Sequence, residues 1–340
     1  MDFGIYLLLC KLNKDTVLRT KGKTFSLKKG YYYYAGSALK GLSARVKRHL
    51  SKTKKTHWHI DFLLEEAEPV LINPYIIKDS EFEHKLADIL SGELSGINGF
   101  GCGDCKCSTH LFYSPSLVTK PFLKQLFSFH IEKAIELLIE LYRGKETPVE
   151  KYKTPWELLV SCIISLRTKD EVTAKSAERL FARASTPEQL MKLEEEEIAS
   201  LIYPAGFYKT KGKNLKKVAE IIYKKYGGKV PDKKEDLLAL PNVGIKTANL
   251  VLANGYGQDE VCVDTHVHRI SNRLGFIKTK TPEESEKVLK RILPKKYIKE
   301  YNGLLVKHGQ NICKPIKPIC SKCPLTKLCL YCFKNENRKA

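Results

Sequence analysis

The sequence predicts a multidomain protein, an N-terminal α/β domain followed by an all-α domain that ends in a cysteine-rich loop. Three observations predict it. The chain has 340 residues, too many for one average domain. Its first third alternates apolar and aromatic strand-like runs, whereas the rest shows helical spacing. Five of its 11 cysteines lie close together near the C-terminus.

The N-terminal elements come in order. Gly4-Ile5-Tyr6-Leu7-Leu8-Leu9 reads as a buried strand, Lys23 to Leu27 alternates, and Tyr31 to Gly36 is aromatic and strand-like. Leu39 to Leu50 places Leu42, Val46 and Leu50 at helical spacing between basic residues. Ser114-Pro115-Ser116 breaks the pattern and begins a linker. From about Pro121 helices dominate, the first near Phe129 to Tyr142. Thr154-Pro155, Thr186-Pro187 and Thr281-Pro282 each set a capping hydroxyl before a proline at the first helical position. Trp156, Leu159, Ile163 and Leu166 form one apolar stripe; Leu215, Val218, Ile221 and Ile222 form another, and both read as core. Gly227-Gly228 and Gly255-Tyr256-Gly257 read as helix stops.

Composition narrows the partner. Lys and Arg number 59 against 38 Asp and Glu, a formal charge of +21. Such an excess points to a polyanion, nucleic acid before an anionic membrane. No apolar stretch approaches the roughly 20 residues that span a bilayer. The run Phe3 to Cys10 lacks a cleavage signature and reads as a strand, not a signal peptide. An intracellular, cytoplasmic monomer is expected, with cysteines serving as metal ligands or core residues rather than disulfides.

Cys313, Cys320, Cys323 and Cys329 are spaced Cys-x6-Cys-x2-Cys-x5-Cys. Such thiolates suit zinc or an iron–sulfur cluster. A single Cys-x2-Cys knuckle favours one compact cluster over a zinc ribbon. Spacing leaves Cys332 open as a ligand. Lys314, Lys317 and Lys322 interleave, and read either as phosphate contacts or as a solvated loop.

Leu240-Pro241-Asn242-Val243-Gly244-Ile245-Lys246-Thr247-Ala248 forms a turn into a helix. Gly244 permits a left-handed or closely approached backbone, and the free N–H groups that follow suit a phosphate. Lys246 stands at the helix start, where partial positive charge and desolvation should lower its pKa. It reads as a Schiff-base nucleophile or as a plain phosphate-binding lysine. Asp264, in Val263-Asp264-Thr265-His266, reads as an N-cap or as a carboxylate that stabilises a cationic sugar. His266 and His268 read as packing or cap partners.

Together the hairpin, the Val263–His266 segment, the four-cysteine spacing and Ser165-Leu166-Arg167-Thr168-Lys169-Asp170 resemble the endonuclease III family of helix-hairpin-helix DNA glycosylases. The resemblance covers residues 119–340. It implies a helical barrel with the hairpin at about 150–270, and terminal helices plus a cluster loop at about 119–149 and 271–340. It implies Lys246 as Schiff-base nucleophile, Asp264 as its essential aspartate, and Cys313, Cys320, Cys323 and Cys329 as [4Fe–4S] ligands. Arg167, Asn242, Gly244, Thr247, Lys314 and Lys317 would contact double-stranded DNA carrying damaged bases or abasic sites. The implied activity is removal of oxidised pyrimidines followed by β-elimination at the abasic site. Asn242 replaces the family's usual first glycine, and asparagine tolerates a left-handed backbone. Arg167 stands where glutamine is common, and brings charge and five donors. That leaves open a mismatched or deaminated base as substrate.

Residues 1–118 resemble the GIY-YIG nucleases through Gly4-Ile5-Tyr6, Tyr34-Ala35-Gly36, Arg45, Arg48, His49 and His57 to Asp61. The resemblance implies a second phosphodiester-cutting site at Tyr6, Tyr34, Arg45 and Glu83 with a divalent metal, or a degenerate fold kept for DNA binding. Cys102, Cys105, Cys107 and His110 read as a zinc site or as a turn packed by sulfur.

Overall fold

The computed structural model describes residues 1–20, 22–51, 53, 55–103, 105–145, 151–152 and 154–336. The chain divides into two compact units, Met1–Ala134 with Pro324–Ala340, and Ile135–Cys323.

The first unit is built on a five-stranded antiparallel sheet. Its elements are β1 (Gly4–Leu12), β2 (Thr16–Arg19), β3 (Thr24–Leu27), β4 (Gly30–Ala38), α1 (Leu42–Leu50), α2 (His59–Glu66), β5 (Glu68–Tyr75), α3 (Glu81–Ser91), β6 (Ser95–Gly96) and β7 (Leu111–Ser114). The sheet order is β5-β1-β4-β7-β6, with β2 and β3 paired separately. The apolar run of β1 is continuous because the strand lies inside the sheet and eight of its nine residues are buried. Pro69 and Pro74 fall on β5, an edge strand, where a missing N–H is tolerated. Tyr6 pairs with Gly36 across β1 and β4. A Cβ at Gly36 would lie 2.4 Å from the Tyr6 ring, so only glycine fits opposite that tyrosine.

The face of α1 differs from the expected stripe. Leu42 and His49 are buried, but Leu50 is 55% exposed. The Tyr6 hydroxyl, 2.7 Å from His49 Nε2, holds the imidazole inward in place of the leucine.

From α4 (Phe122–Leu141) onward the chain is helical, and the first helix starts earlier than expected. There follow α5 (Pro155–Ser165), α6 (Asp170–Arg183), α7 (Pro187–Met191), α8 (Glu195–Ile202), α9 (Tyr208–Tyr226), α10 (Lys234–Leu238), α11 (Ile245–Leu250), α12 (Thr265–Leu274), α13 (Pro282–Ile292) and α14 (Ile298–Asn311). The last helix, α15 (Leu330–Glu336), belongs to the first unit. Thr154, Thr186 and Thr281 cap α5, α7 and α13 by accepting from the backbone N–H three residues on. Gly227 ends α9 at φ 61°. After α11 the helix continues as a π-type turn, Val251–Gly255. The core of this unit joins α5, α9 and α11 through Leu159, Ile163, Leu215, Ile222 and Ala248. Among the described residues no helix is long and apolar enough to cross a membrane.

Candidate active site

The hairpin runs from α10 through Pro241–Gly244 into α11. Its left-handed residue is Asn242 (φ 64°), not Gly244, which is extended at φ −99°, ψ 177°. Of the two residues read as tolerant of a left-handed step, Asn242 takes it, which the short polar side chain of asparagine makes affordable. A Cβ at Gly244 would meet nothing within 4 Å, so the protein itself does not require glycine there. Thr247 is buried at 3% exposure, so the phosphate contact expected of it does not come from an exposed hydroxyl.

Lys246 opens the second hairpin helix, and its Nζ lies 3.6 Å from Asp264 Oδ2. Asp264 makes two kinds of contact, one with each oxygen. Oδ1 accepts from the backbone N–H of His266 (2.9 Å) and Val267 (2.8 Å), which caps α12. Oδ2 is left to face the lysine. The N-cap reading of the aspartate is thus met, and its second oxygen stands beside the lysine.

The pKa of Lys246 is raised, which corrects the expected lowering. Burial alone would pull it down, but Asp264 and, less strongly, the Cys262 and Cys162 sulfurs act the other way. Burial pushes the Cys162 thiol up to about 12, and Cys262 is pushed up as well, so both stay uncharged near neutrality. The carboxylate is the anion that counts. Lys246 and Asp264 border a cleft of about 820 Å³, also lined by Ser165, Asp170, His266 and Gln310. His266 Nδ1 meets Arg269 Nη2 at 3.1 Å and His268 Nδ1 meets Ser285 Oγ at 2.7 Å, which fits packing roles.

The segment after α5 is held by a residue that its sequence context did not mark. Lys211, only 2% exposed, donates to Ile164 O (2.7 Å), Leu166 O (2.5 Å) and Thr168 Oγ1 (2.9 Å). Burial lowers its pKa to about 8. Arg167 takes φ 51° and Phe207 takes φ 57°, and the guanidinium carbon lies 5.5 Å from the Phe207 ring centre. Gly206 is needed between them, since a Cβ there would sit 2.4 Å from Arg167 O. Phe207 remains 62% exposed. The Gly206-Phe207 pair before a helix was the available signal; Lys211 was one basic residue among 59.

In the cysteine loop, Cys313 follows α14. Arg273 Nη1 lies 3.3 Å from its sulfur and donates to Lys314 O at 2.7 Å, and Nη2 donates to Pro315 O at 2.5 Å. Arg269 Nη2 donates to Cys313 O at 3.0 Å. Cys320 opens a short turn, and Cys323 Sγ lies 3.5 Å from His308 Nε2. A guanidinium against the Cys313 sulfur suits a thiolate at that position. Lys314 and Lys317 are exposed. Cys329 and Cys332 are buried in the first unit, just before and within α15.

In the first unit Tyr6 is buried, and burial raises its pKa well above the ordinary tyrosine value. The Tyr34 ring lies 6.3 Å from that of Tyr6, and the Arg45 guanidinium carbon lies 3.9 Å from the Trp58 ring centre. Glu83 Oε1 faces His110 Nδ1 at 3.4 Å. The expected zinc set is not the one assembled. Cys102 Sγ turns to Ser108 O at 3.6 Å, and His84 of α3 joins Cys105, Cys107 and His110 in its place.

Residues 160–295 match the model of the HhH-GPD superfamily base excision DNA repair proteins. Fold and cleft thus define a base-excision DNA repair enzyme. Residues 5–129 match a domain of unknown function, DUF123. Endonuclease III of Thermotoga maritima is 46% identical over 181 residues, which cover 53% of this chain and 85% of the relative. Endonuclease III of Buchnera aphidicola is 36% identical over 213 residues, 63% of this chain and 99% of the relative. A solved structure of a trapped endonuclease III–DNA covalent intermediate aligns with a TM-score of 0.56 at 31% identity, covering 62% of this chain and 98% of that one. The chain belongs to the endonuclease III family, whose members are DNA glycosylases and AP lyases and typically carry a [4Fe–4S] cluster.

Proposed function

We propose that this enzyme binds double-stranded DNA and excises oxidised pyrimidines through a Schiff base on Lys246, then cuts the strand by β-elimination. The observation that carries this reading is the 3.6 Å approach of Lys246 Nζ to a carboxylate oxygen on the wall of an open cleft. A damaged nucleotide, poorly stacked, costs least to extrude into that cleft. The resting pair is an ammonium beside a carboxylate, so Lys246 must first give up a proton, and Oδ2 of Asp264 is placed to take it. The free amine then bonds to C1′ while the C1′–base bond breaks and the base leaves with the electron pair. Asp264 stabilises the positive charge that develops on the sugar. The nitrogen gives one proton to the departed base, and the C1′–O4′ bond opens as Asp264 passes its proton to O4′, which leaves the iminium. Loss of a C2′ proton from it and departure of the 3′ phosphate complete the cut, and hydrolysis by water returns the lysine. A relative caught covalently joined to DNA supports such an intermediate.

Arg167, Asn242, Gly244, Lys314 and Lys317 are the proposed DNA contacts. Gly244 has open space where a side chain would be, which suits close approach of a phosphate. Cys313, Cys320, Cys323 and Cys329 would hold the [4Fe–4S] cluster, which when bound supplies a rigid anchor for the Lys314–Lys317 loop. One observation favours a second lesion class. Arg167 replaces an amide side chain with a cation set against Phe207, which suits a mismatched or deaminated base.

The test is borohydride trapping on a duplex with one thymine glycol, in chelator, for wild type and Lys246→Gln. An adduct with wild type alone supports both lysine and lesion. An adduct only on a parallel abasic-site duplex keeps the lyase and discards oxidised pyrimidines. No adduct on either duplex overturns the lysine mechanism.

A further inference from the structure

The first unit carries a cluster of ligand atoms that the glycosylase chemistry does not use. His84, Cys105, Cys107 and His110 each offer one donor atom, and all four atoms lie within 4.8 Å of one another. Two elements bring them together. His84 projects from α3, and the other three belong to the loop before β7. Backbone bonds pin that loop: Gly99 N–H to Ser108 O (2.8 Å), His110 N–H to Phe100 O (2.9 Å) and Ala35 N–H to His110 O (3.0 Å).

We propose that this unit binds one zinc ion through His84 Nδ1, Cys105 Sγ, Cys107 Sγ and His110 Nε2. His84 Nδ1 lies 3.2 Å from Cys107 Sγ, and His110 Nε2 lies 3.2 Å from Cys105 Sγ. Tetrahedral zinc with bonds of about 2.0–2.3 Å sets its ligand atoms about 3.3–3.8 Å apart. The cluster therefore needs only small shifts to enclose the ion. Two sulfurs and two imidazole nitrogens, with no oxygen among them, select zinc over magnesium or calcium. Two S–H···N hydrogen bonds would explain two pairs of atoms. They would not explain why both pairs share one small volume. The second nitrogen of His110 is also supported, with Nδ1 3.4 Å from Glu83 Oε1 and 3.2 Å from Ala35 O. A carboxylate behind the far nitrogen of a ligand histidine fixes its tautomer and orientation. Each thiol would bind as a thiolate and release its proton.

Four protein ligands leave no open position for a reacting water, so this is a structural centre. Glu83, the carboxylate a second nuclease site would need for its metal, is occupied in holding His110.

The test uses the full-length enzyme, purified without a histidine tag from zinc-supplemented cells. Zinc and iron are measured separately by mass spectrometry. About one zinc per chain is expected. Cys105→Ser/Cys107→Ser should lose it while the iron content and the circular dichroism spectrum stay unchanged. Cys102→Ser should retain zinc. Glu83→Gln should retain the ligands but weaken zinc about 10- to 100-fold in competition with a chromophoric chelator. Cobalt substitution gives a readout that survives a folding defect, because wild type should show the absorption of a tetrahedral thiolate–imidazole site. Absence of zinc from wild type, with no uptake on titration, overturns the proposal. So does zinc retained by the double variant, or an octahedral cobalt spectrum.

Discussion

Lys246 and Lys211 lie in the same helical unit and have opposite surroundings. Lys246 faces a carboxylate at 3.6 Å and its pKa rises. Lys211 is enclosed by two carbonyls and a hydroxyl, with no anion bonded to it, and its pKa falls to about 8. Burial acts in the same direction on both. The difference is the partner: a charge fixed by a helix N-terminus in one case, neutral dipoles in the other. A depressed lysine pKa is often taken as the mark of a nucleophile. Here the depressed lysine is the brace, and the one that borders the cleft has its pKa raised by the carboxylate beside it.

Four substitutions sharpen or break that contrast. The largest effect is expected at Lys246→Gln, which should lower strand cleavage on an abasic-site duplex by about 10³-fold or more while DNA affinity stays near wild type. A variant that still cuts in chelator would end the distinction between the two lysines. Next comes Asp264→Asn. Asparagine caps a helix as well as aspartate does, so the melting temperature should hold. The single-turnover rate should fall about 10²- to 10⁴-fold. With the anion gone, the largest influence that raises the Lys246 pKa is lost, so the pH profile of borohydride trapping should move to lower pH.

Lys211→Met should leave the covalent step intact and instead orphan two carbonyls and a hydroxyl, at a cost of about 1–3 kcal/mol in a denaturant melt. The folded pKa of Lys211 lies below the ordinary value of 10.5. Between about pH 8 and 10.5 the unfolded chain therefore holds more protons. Linkage then requires wild-type stability to rise relative to Lys211→Met across that window and to lose the advantage as pH falls toward 8. A gap that does not change with pH would show that this lysine titrates normally. The smallest effect on stability is expected at Gly244→Ala. Its backbone is extended and its Cβ would meet nothing, so melting should change by less than about 0.5 kcal/mol. DNA affinity should nevertheless drop severalfold, as the added methyl stands where a phosphate would approach.

What could be read from the sequence was local. The three Thr-Pro starts, the glycine stop at Gly227 and the cap at Asp264 depend on residues within one turn of each other, and all formed as expected. The left-handed step at Asn242 is also local, a choice between two tolerant residues that only backbone geometry decides. The unread features are all non-local. Lys211 meets carbonyls more than forty positions away in the chain. His84 joins a loop that it reaches only once α3 packs near β4 and β7. His49 displaces Leu50 from the expected stripe because a hydroxyl on β1 draws it inward. Hydrophobic periodicity carries no signal for such pairings.

The division of labour within Asp264 bears on how this active site could fail. The oxygen that caps α12 answers to folding, and under the proposed mechanism the oxygen that faces Lys246 answers to chemistry. Asparagine, serine or threonine at this position would satisfy the first demand and forfeit the second. A chain changed in that way would fold, melt and hold its helix entry as before, while its lysine stood without a proton acceptor. Loss of function at this position would leave no scar in the architecture, and only an assay would find it.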